Sequence, residues 1–220
     1  MTTPAPGARP PNPCLALGDE FTSGIGITAA ERWPVQLATK LREYNVGLAD
    51  PEFIAGHGWT TADLQQALTK SGNHRTDYEF VSLLIGLNNQ YQHNSLAFYD
   101  LEFRQLLAAA QHYAGDRAYR VLVLSIPDWG FTPFAAGEDR AHIGHAIDEF
   151  NYVARRACEQ AAIAFINITP LTRAIGPDPT QLVANGPYYS GEQLRRWVAA
   201  AFPTAFSLLR NDGRYTGATH

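Results

Sequence analysis

At 220 residues the chain is long enough to bury one sizeable core, and a single domain is the default. Apolar residues make up 45% and charged residues 17%, a globular balance that argues against disorder. A net charge of -4, only 17 Lys and Arg, and no block of like charge argue against a nucleic-acid or anionic-membrane surface.

The opening stretch MTTPAPGARPPNP is Pro-rich, lacks the apolar core of a signal peptide, and reads as a disordered tail over 1–13. A cytoplasmic domain is expected over 14–210, followed by a flexible tail over 211–220. CLALG (14–18) predicts the first strand, with Cys14 a small core hydrophobe. RWPVQLATKLREY (32–44) sets Val35, Leu37, Ala38 and Leu41 at helical spacing. EFIAG (52–56) is a short strand, and TTADLQQAL (60–68) starts a helix with Thr60 or Thr61 as N-cap and Asp63 at its positive end. YEFVSLLIG (78–86) is nearly continuous apolar sequence ended by glycine, which suits a central parallel strand covered on both faces. A helix over 96–114, a strand over 119–127, a helix over 143–162 and a strand over 163–169 follow. The last helix, 190–209, is expected to kink or split at Pro203.

Five strand-then-helix units predict an α/β fold, one doubly wound parallel five-stranded sheet with helices on both faces. No run reaches the ~20 apolar residues of a membrane span. Cys14 and Cys158 are far apart with no CxxC pattern, giving no basis for a disulfide framework or a zinc site. His142 and His145 share an i, i+3 spacing but lack a third ligand, so no metal is expected. No glycine-rich phosphate loop follows a strand, so no nucleotide cofactor is expected. Ligands of such sheets bind outside the carboxyl ends of the strands, which directs attention to 18–26, 56–61, 86–94, 127–137 and 170–190.

Four of these loops resemble, in order, the sequence blocks of the SGNH (GDSL) hydrolases, a family of esterases and lipases. GDEFTSG resembles the first block, Gly-Asp-Ser-x-Thr. AGHGWTTADL resembles the second and IGLNNQY the third, while NGPYYSGEQLRRW stands where Asp-Gly-x-His-Pro-Ser belongs. The resemblance runs from about residue 14 to 209 and implies the family's three-layer fold. It implies that Gly58 and Asn88 are oxyanion-hole donors, with the amide of residue 20 a third. Donors of this kind are often worth ~3 kcal/mol each to an acyl-transfer transition state. The family's serine, aspartate and histidine positions carry Glu20, Asn185 and Tyr188. A neutral amide cannot stabilise an imidazolium, and a phenol of intrinsic pKa ~10 is a poor base at neutral pH. The Ser-His-Asp mechanism is therefore excluded.

Glu20 then reads as a general acid or base, or as a carboxylate filling a vacated site, with a nucleophilic role less favoured. Asp19 matches a loop-organising position. His57, just before Gly58, is placed to pair with Glu20 or touch a ligand. Tyr188 would present its phenol as donor or weak acid; alternatively Tyr188 and Tyr189 plug a dead site. Asn89 and Gln90 are expected to fix the loop after Asn88. Phe21, Trp59, Asn89, Asp128, Trp129 and Tyr189 are the pocket candidates, a set that suits a mostly apolar small molecule with a carbonyl group. The leading expectation is acid/base chemistry on an acyl or carbonyl substrate (isomerase, lyase, cyclase or water-activating hydrolase), with Glu20, His57 and Tyr188 catalytic. One alternative is a catalytically dead protein that binds an acyl or carbonyl ligand. Another is an esterase using Ser23 or Ser190, although neither serine has a placed base. The partner is a small molecule, and the oligomeric state stays open.

Overall fold

The apolar runs become five parallel strands in a computed structural model that describes residues 11–175, 179–183 and 186–210. They are β1 (Cys14–Gly18), β2 (Glu52–Ala55), β3 (Phe80–Leu84), β4 (Val121–Leu124) and β5 (Ala164–Ile166), in the order β2-β1-β3-β4-β5. Every pairing is parallel. The central strands β1, β3 and β4 are buried at every position, whereas the edge strands β2 and β5 are only partly covered. That contrast explains why the central runs are apolar almost throughout, Ser82 in β3 being the exception. The predicted strands overrun the ladder at their ends. The amides of Tyr78 and Glu79 leave the sheet to bond Tyr113 and Pro13 carbonyls, and residues 118–120 form a 3-10 turn.

Among the described residues eight α-helices join and cover the strands: α1 (Glu20–Ser23), α2 (Trp33–Glu43), α3 (Thr61–Lys70), α4 (Leu87–Tyr91), α5 (Leu96–Tyr113), α6 (Arg140–Gln160), α7 (Thr169–Arg173) and α8 (Gly191–Arg210). α2 packs along α8, and α5 lies against both α3 and α6. With crossovers of one hand, the return of the chain from β2 past β1 to β3 puts α2 and α8 on one face and the other three on the opposite face. Thr60 is the N-cap of α3 and forms a capping box with Asp63. Asp139 accepts the amides of Ala141 and His142, which starts α6 three residues ahead of the apolar pattern. Of the kink or split expected at Pro203, the split does not occur, since α8 runs through it as one helix. Pro203 and Ala199 are both exposed, so the carbonyl deprived of its amide partner lies on the solvent side.

The site is positioned where β1 and β3 end side by side, since the connections leave them toward opposite faces. Two glycines let these strands turn at once into α1 and α4. A Cβ on Gly18 would stand 2.3 Å from the Leu84 carbonyl oxygen, and one on Gly86 would meet the Tyr99 hydroxyl at 2.7 Å. Cys14 and Cys158 are free and buried, and burial pushes both thiols up to about 12. Among the described residues no helix is long and apolar enough to cross a membrane. Residues 1–10 and 211–220 of the expected tails, and Asn185, lie outside the described residues.

Candidate functional site

Asp19 and Glu20 follow directly on β1, and their two carboxylates take opposite tasks. Asp19 is the N-cap of α1, its Oδ1 accepting the Phe21 amide at 3.0 Å. Burial, and then the charge of Glu20, hold the Asp19 carboxyl well above the usual carboxylate range. Glu20 is 4% exposed and reaches away from its own helix, across the carboxyl ends of the strands. Its Oε2 accepts the Gly58 amide at 2.9 Å and Asn88 Nδ2 at 3.0 Å. The same Asn88 nitrogen also donates to the Trp59 carbonyl at 3.0 Å. The turn after β2, the helix after β3 and the helix after β1 are thus tied through one carboxylate oxygen. Gly58 and Asn88 converge as a donor pair, and the oxygen they hold belongs to the protein itself.

The neighbouring polar residues are spent on holding this arrangement. Asn89 faces α3, where its Oδ1 accepts the Thr61 amide at 3.0 Å and its Nδ2 donates to Thr61 Oγ1 at 2.6 Å. Gln90 Oε1 accepts the Trp129 indole N–H at 2.9 Å. Asp128 is fully buried and accepts the Gly130 amide and Arg173 Nε, at 2.9 and 2.7 Å. Its carbonyl takes the Tyr189 hydroxyl at 3.2 Å. Asn89 and Asp128 therefore serve as positioning groups that turn away from open space. Ser190 accepts the Gln193 amide at 3.4 Å at the start of α8, and Ser23 ends α1.

Aromatic rings close the space around Glu20. Phe21 lies 5.8 Å from Tyr189 and 6.3 Å from Tyr188, and Tyr189 packs on Trp197 at 5.2 Å. His57 is exposed and meets the Tyr188 ring edge-on at 6.1 Å. Burial and the Glu20 charge push the Tyr188 phenol above its ordinary value, and burial does the same to Tyr189. Trp59 lies over Gly56, where a Cβ would stand 2.2 Å from the indole. Between Glu20, Phe21, Tyr188 and Tyr189 the remaining cavity is about 10 Å³, no more than the space of one water. Glu20 and Tyr188 share this small cavity, while the exposed His57 reaches the group only through its edge-on contact with the Tyr188 ring.

Open space lies beyond α4. A cavity of about 390 Å³ is lined by Gln90, Tyr91, Trp129, Phe134, Glu138 and His142, with His93, Asp139 and Ile143. Of these the sequence reading singled out only Trp129 as a wall residue. Tyr91 ends α4, whereas Phe134 and Glu138 come from the segment between β4 and α6, and the three have no shared spacing; an aromatic just beyond the end of a central strand is nonetheless a signal that can be sought. His145 points elsewhere, lying 3.8 Å from Glu149. Among the described residues no group of three or more His, Cys, Asp or Glu side chains is placed to hold a metal.

The comparisons with known proteins agree with this architecture. No curated protein matches the chain. Among solved structures, that of TesA superposes with a TM-score of 0.69 at 17% identity, covering 90% of this chain and 99% of that one. AlinE4, an SGNH-hydrolase family esterase, gives 0.61 at 19% identity, covering 89% and 95%. Phospholipase A1 from Streptomyces albidoflavus NA297 gives 0.58 at 18%, covering 90% and 99%. At such identities these likenesses establish the fold alone. The family model of the GDSL-like Lipase/Acylhydrolase family matches residues 16–194, a span that starts within β1 and includes both donors and Tyr188. The chain belongs to the GDSL-like lipase/acylhydrolase family.

Proposed function

We propose that this chain is a ligand-binding member of its family that holds a small acyl or carbonyl compound without forming an acyl-enzyme. The observation that carries the reading is the pair of hydrogen bonds from Gly58 N and Asn88 Nδ2 to Glu20 Oε2. Those donors are the groups an acyl-transfer oxyanion needs. Here they already hold a charged acceptor, and charge-assisted bonds are roughly twice as strong as neutral ones. A neutral substrate carbonyl is the weaker competitor, and displacing Glu20 would strand a buried carboxylate. Tyr188, its phenol pushed upward, cannot replace the missing histidine as a base. The cavity of about 390 Å³ beyond α4 lies within the usual size range of small-molecule sites. A small-molecule ligand, a cytoplasmic location and a domain over 14–210 belong to this reading.

The test is to incubate the protein with p-nitrophenyl butyrate and, separately, with a fluorophosphonate probe. The expected result is no hydrolysis above buffer and no labelled serine, with a rise in melting temperature as the ester is added. Steady hydrolysis of the ester, or labelling of Ser23 or Ser190, refutes the proposal.

A second reading keeps Glu20 as an acid or base acting on a carbonyl substrate, in isomerase, lyase, cyclase or water-activating chemistry. It is favoured by the flanking of Glu20 by Tyr188 and His57, and by Glu20 Oε1, which accepts no hydrogen bond among the described residues. Glu20→Gln separates the two readings: ligand binding persists under the first, and turnover disappears under the second.

A further inference from the structure

The cavity beyond α4 has a chemical character that an acyl chain alone would not require. Tyr91, Trp129 and Phe134 meet there at a corner. Their ring centroids are 5.4 Å apart for Tyr91 and Trp129, 5.8 Å for Trp129 and Phe134, and 6.3 Å for Tyr91 and Phe134. The rings are tilted by 73°, 66° and 44° in the same order, so they meet edge-on or obliquely and none is stacked face to face. Trp129 is locked by its bond to Gln90, while Tyr91 and Phe134 each remain 49% exposed. Large aromatic faces are therefore held in place beside open space.

The charges on the rim are of one sign. Glu138 and Asp139 line the cavity, and no Lys or Arg does. Asp139 is engaged at the start of α6, its Oδ1 accepting the amides of Ala141 and His142 at 3.0 and 3.1 Å. That contact offsets the positive end of the helix, which would otherwise favour an anion here. Glu138 has no side-chain hydrogen bond or ion pair among the described residues. Aromatic faces carry negative quadrupole potential and attract organic cations, whose methyl groups also suit an apolar wall. An uncharged chain would be indifferent to Glu138, and a carboxylate would be repelled by it.

We propose that this cavity binds the quaternary ammonium head of a small ligand, with Tyr91, Trp129 and Phe134 against its methyl groups and Glu138 as counter-charge. The inference rests on reading this cavity as the chain's ligand site and adds the class of ligand. It makes no use of the Glu20 contact.

Isothermal titration of the whole protein at about pH 8, where an ordinary imidazole is neutral, compares three probes: choline, its uncharged carbon isostere 3,3-dimethylbutan-1-ol, and butyrate. Choline is expected to bind at least about tenfold more tightly than the isostere. Glu138→Gln should reduce that preference, leaving the share contributed by the rings, without changing isostere binding, and Phe134→Ala should weaken both. Both residues are on the surface, so the variants are expected to fold, which circular dichroism checks. Equal binding of choline and isostere overturns the cation assignment but leaves the cavity as a ligand site. Tighter binding of butyrate overturns the assignment too, and failure of all three probes overturns it together with the reading of the cavity.

Discussion

Replacing Glu20 by alanine removes the one acceptor that Gly58 and Asn88 share, and the cost follows from what is left behind. The Gly58 amide and one proton of Asn88 Nδ2 lose their partner, while the other Asn88 proton keeps the Trp59 carbonyl. A stranded buried donor costs about 1–3 kcal/mol. Asn88 is 8% exposed, whereas Gly58 is only half-buried and recovers part of its loss from water. One gain opposes these losses: without the Glu20 charge, Asp19 is relieved of a repulsion that raises its carboxyl. The balance is a destabilisation of about 2 kcal/mol, equivalent to a fall of roughly 4–8 °C in melting temperature for a chain of this size. Glu20→Gln keeps an acceptor oxygen in place, surrenders the charge assistance and gains the same relief at Asp19, so it should fall within about 1 kcal/mol of the parent. Urea unfolding, read as a midpoint change at constant slope, measures both variants. A Glu20→Ala protein as stable as the parent would refute the claim that the carboxylate ties the three segments together.

Further variants probe the supports of the site. Glu20→Gly opens the seat, and added acetate should raise its melting temperature by mass action while leaving the parent unchanged, as followed by thermal unfolding. Asp19→Asn keeps an N-cap for Phe21 and removes an ionisation that the fold disfavours. Because the folded-state value is raised, the stability contributed by Asp19 is full below about 3.9 and is lost as pH climbs through the raised value. Urea midpoints taken across pH should therefore decline less toward alkaline pH in Asp19→Asn than in the parent. Asn89→Ala severs both bonds to Thr61 in a nearly fully buried place and should cost about 2–3 kcal/mol in the same assay. Gly18→Ala drives a Cβ to 2.3 Å from the Leu84 carbonyl oxygen, and loss of soluble folded protein on expression is the expected outcome.

The sheet was legible because its central strands are covered on both faces, so Leu15–Leu17, Val81–Leu84 and Val121–Leu124 are runs that only burial explains. The long helices were legible from periodicity. α1, α4 and α7 were not, since four or five residues carry no measurable period. At the site, the matched blocks pointed to Glu20, Gly58 and Asn88, and the three do meet. What the sequence could not reveal is that Glu20 Oε2 takes both donors, because that depends on the reach of a side chain across segments brought together only by folding. Asn89 and Asp128 show what adjacency in sequence leaves open. Asn89 was read both as a loop-fixing group and as a pocket candidate and is committed to Thr61, while Asp128, read as a wall, bonds the Gly130 amide and Arg173. The aromatic corner of Tyr91, Trp129 and Phe134 was out of reach for a related reason, since its members share no spacing.

The Glu20 contact and the cavity beyond α4 bear on one question, namely where a ligand can gain affinity. An empty oxyanion hole presents buried donors that water or substrate must satisfy. A carboxylate oxygen resembles a tetrahedral oxyanion in charge and in hydrogen-bonding capacity, so Glu20 satisfies those donors from within the protein. On the side of Glu20 that faces Phe21, Tyr188 and Tyr189 only about 10 Å³ is left beside the carboxylate. Retained donors are therefore no argument for retained hydrolysis in this chain, since the fold has its own use for them. A ligand entering the site would spend binding energy merely to replace a bond already made. A ligand bound beyond α4, as proposed, would meet exposed rings and Glu138, which has no side-chain hydrogen bond or ion pair among the described residues, so its contacts would add affinity without displacing an internal one.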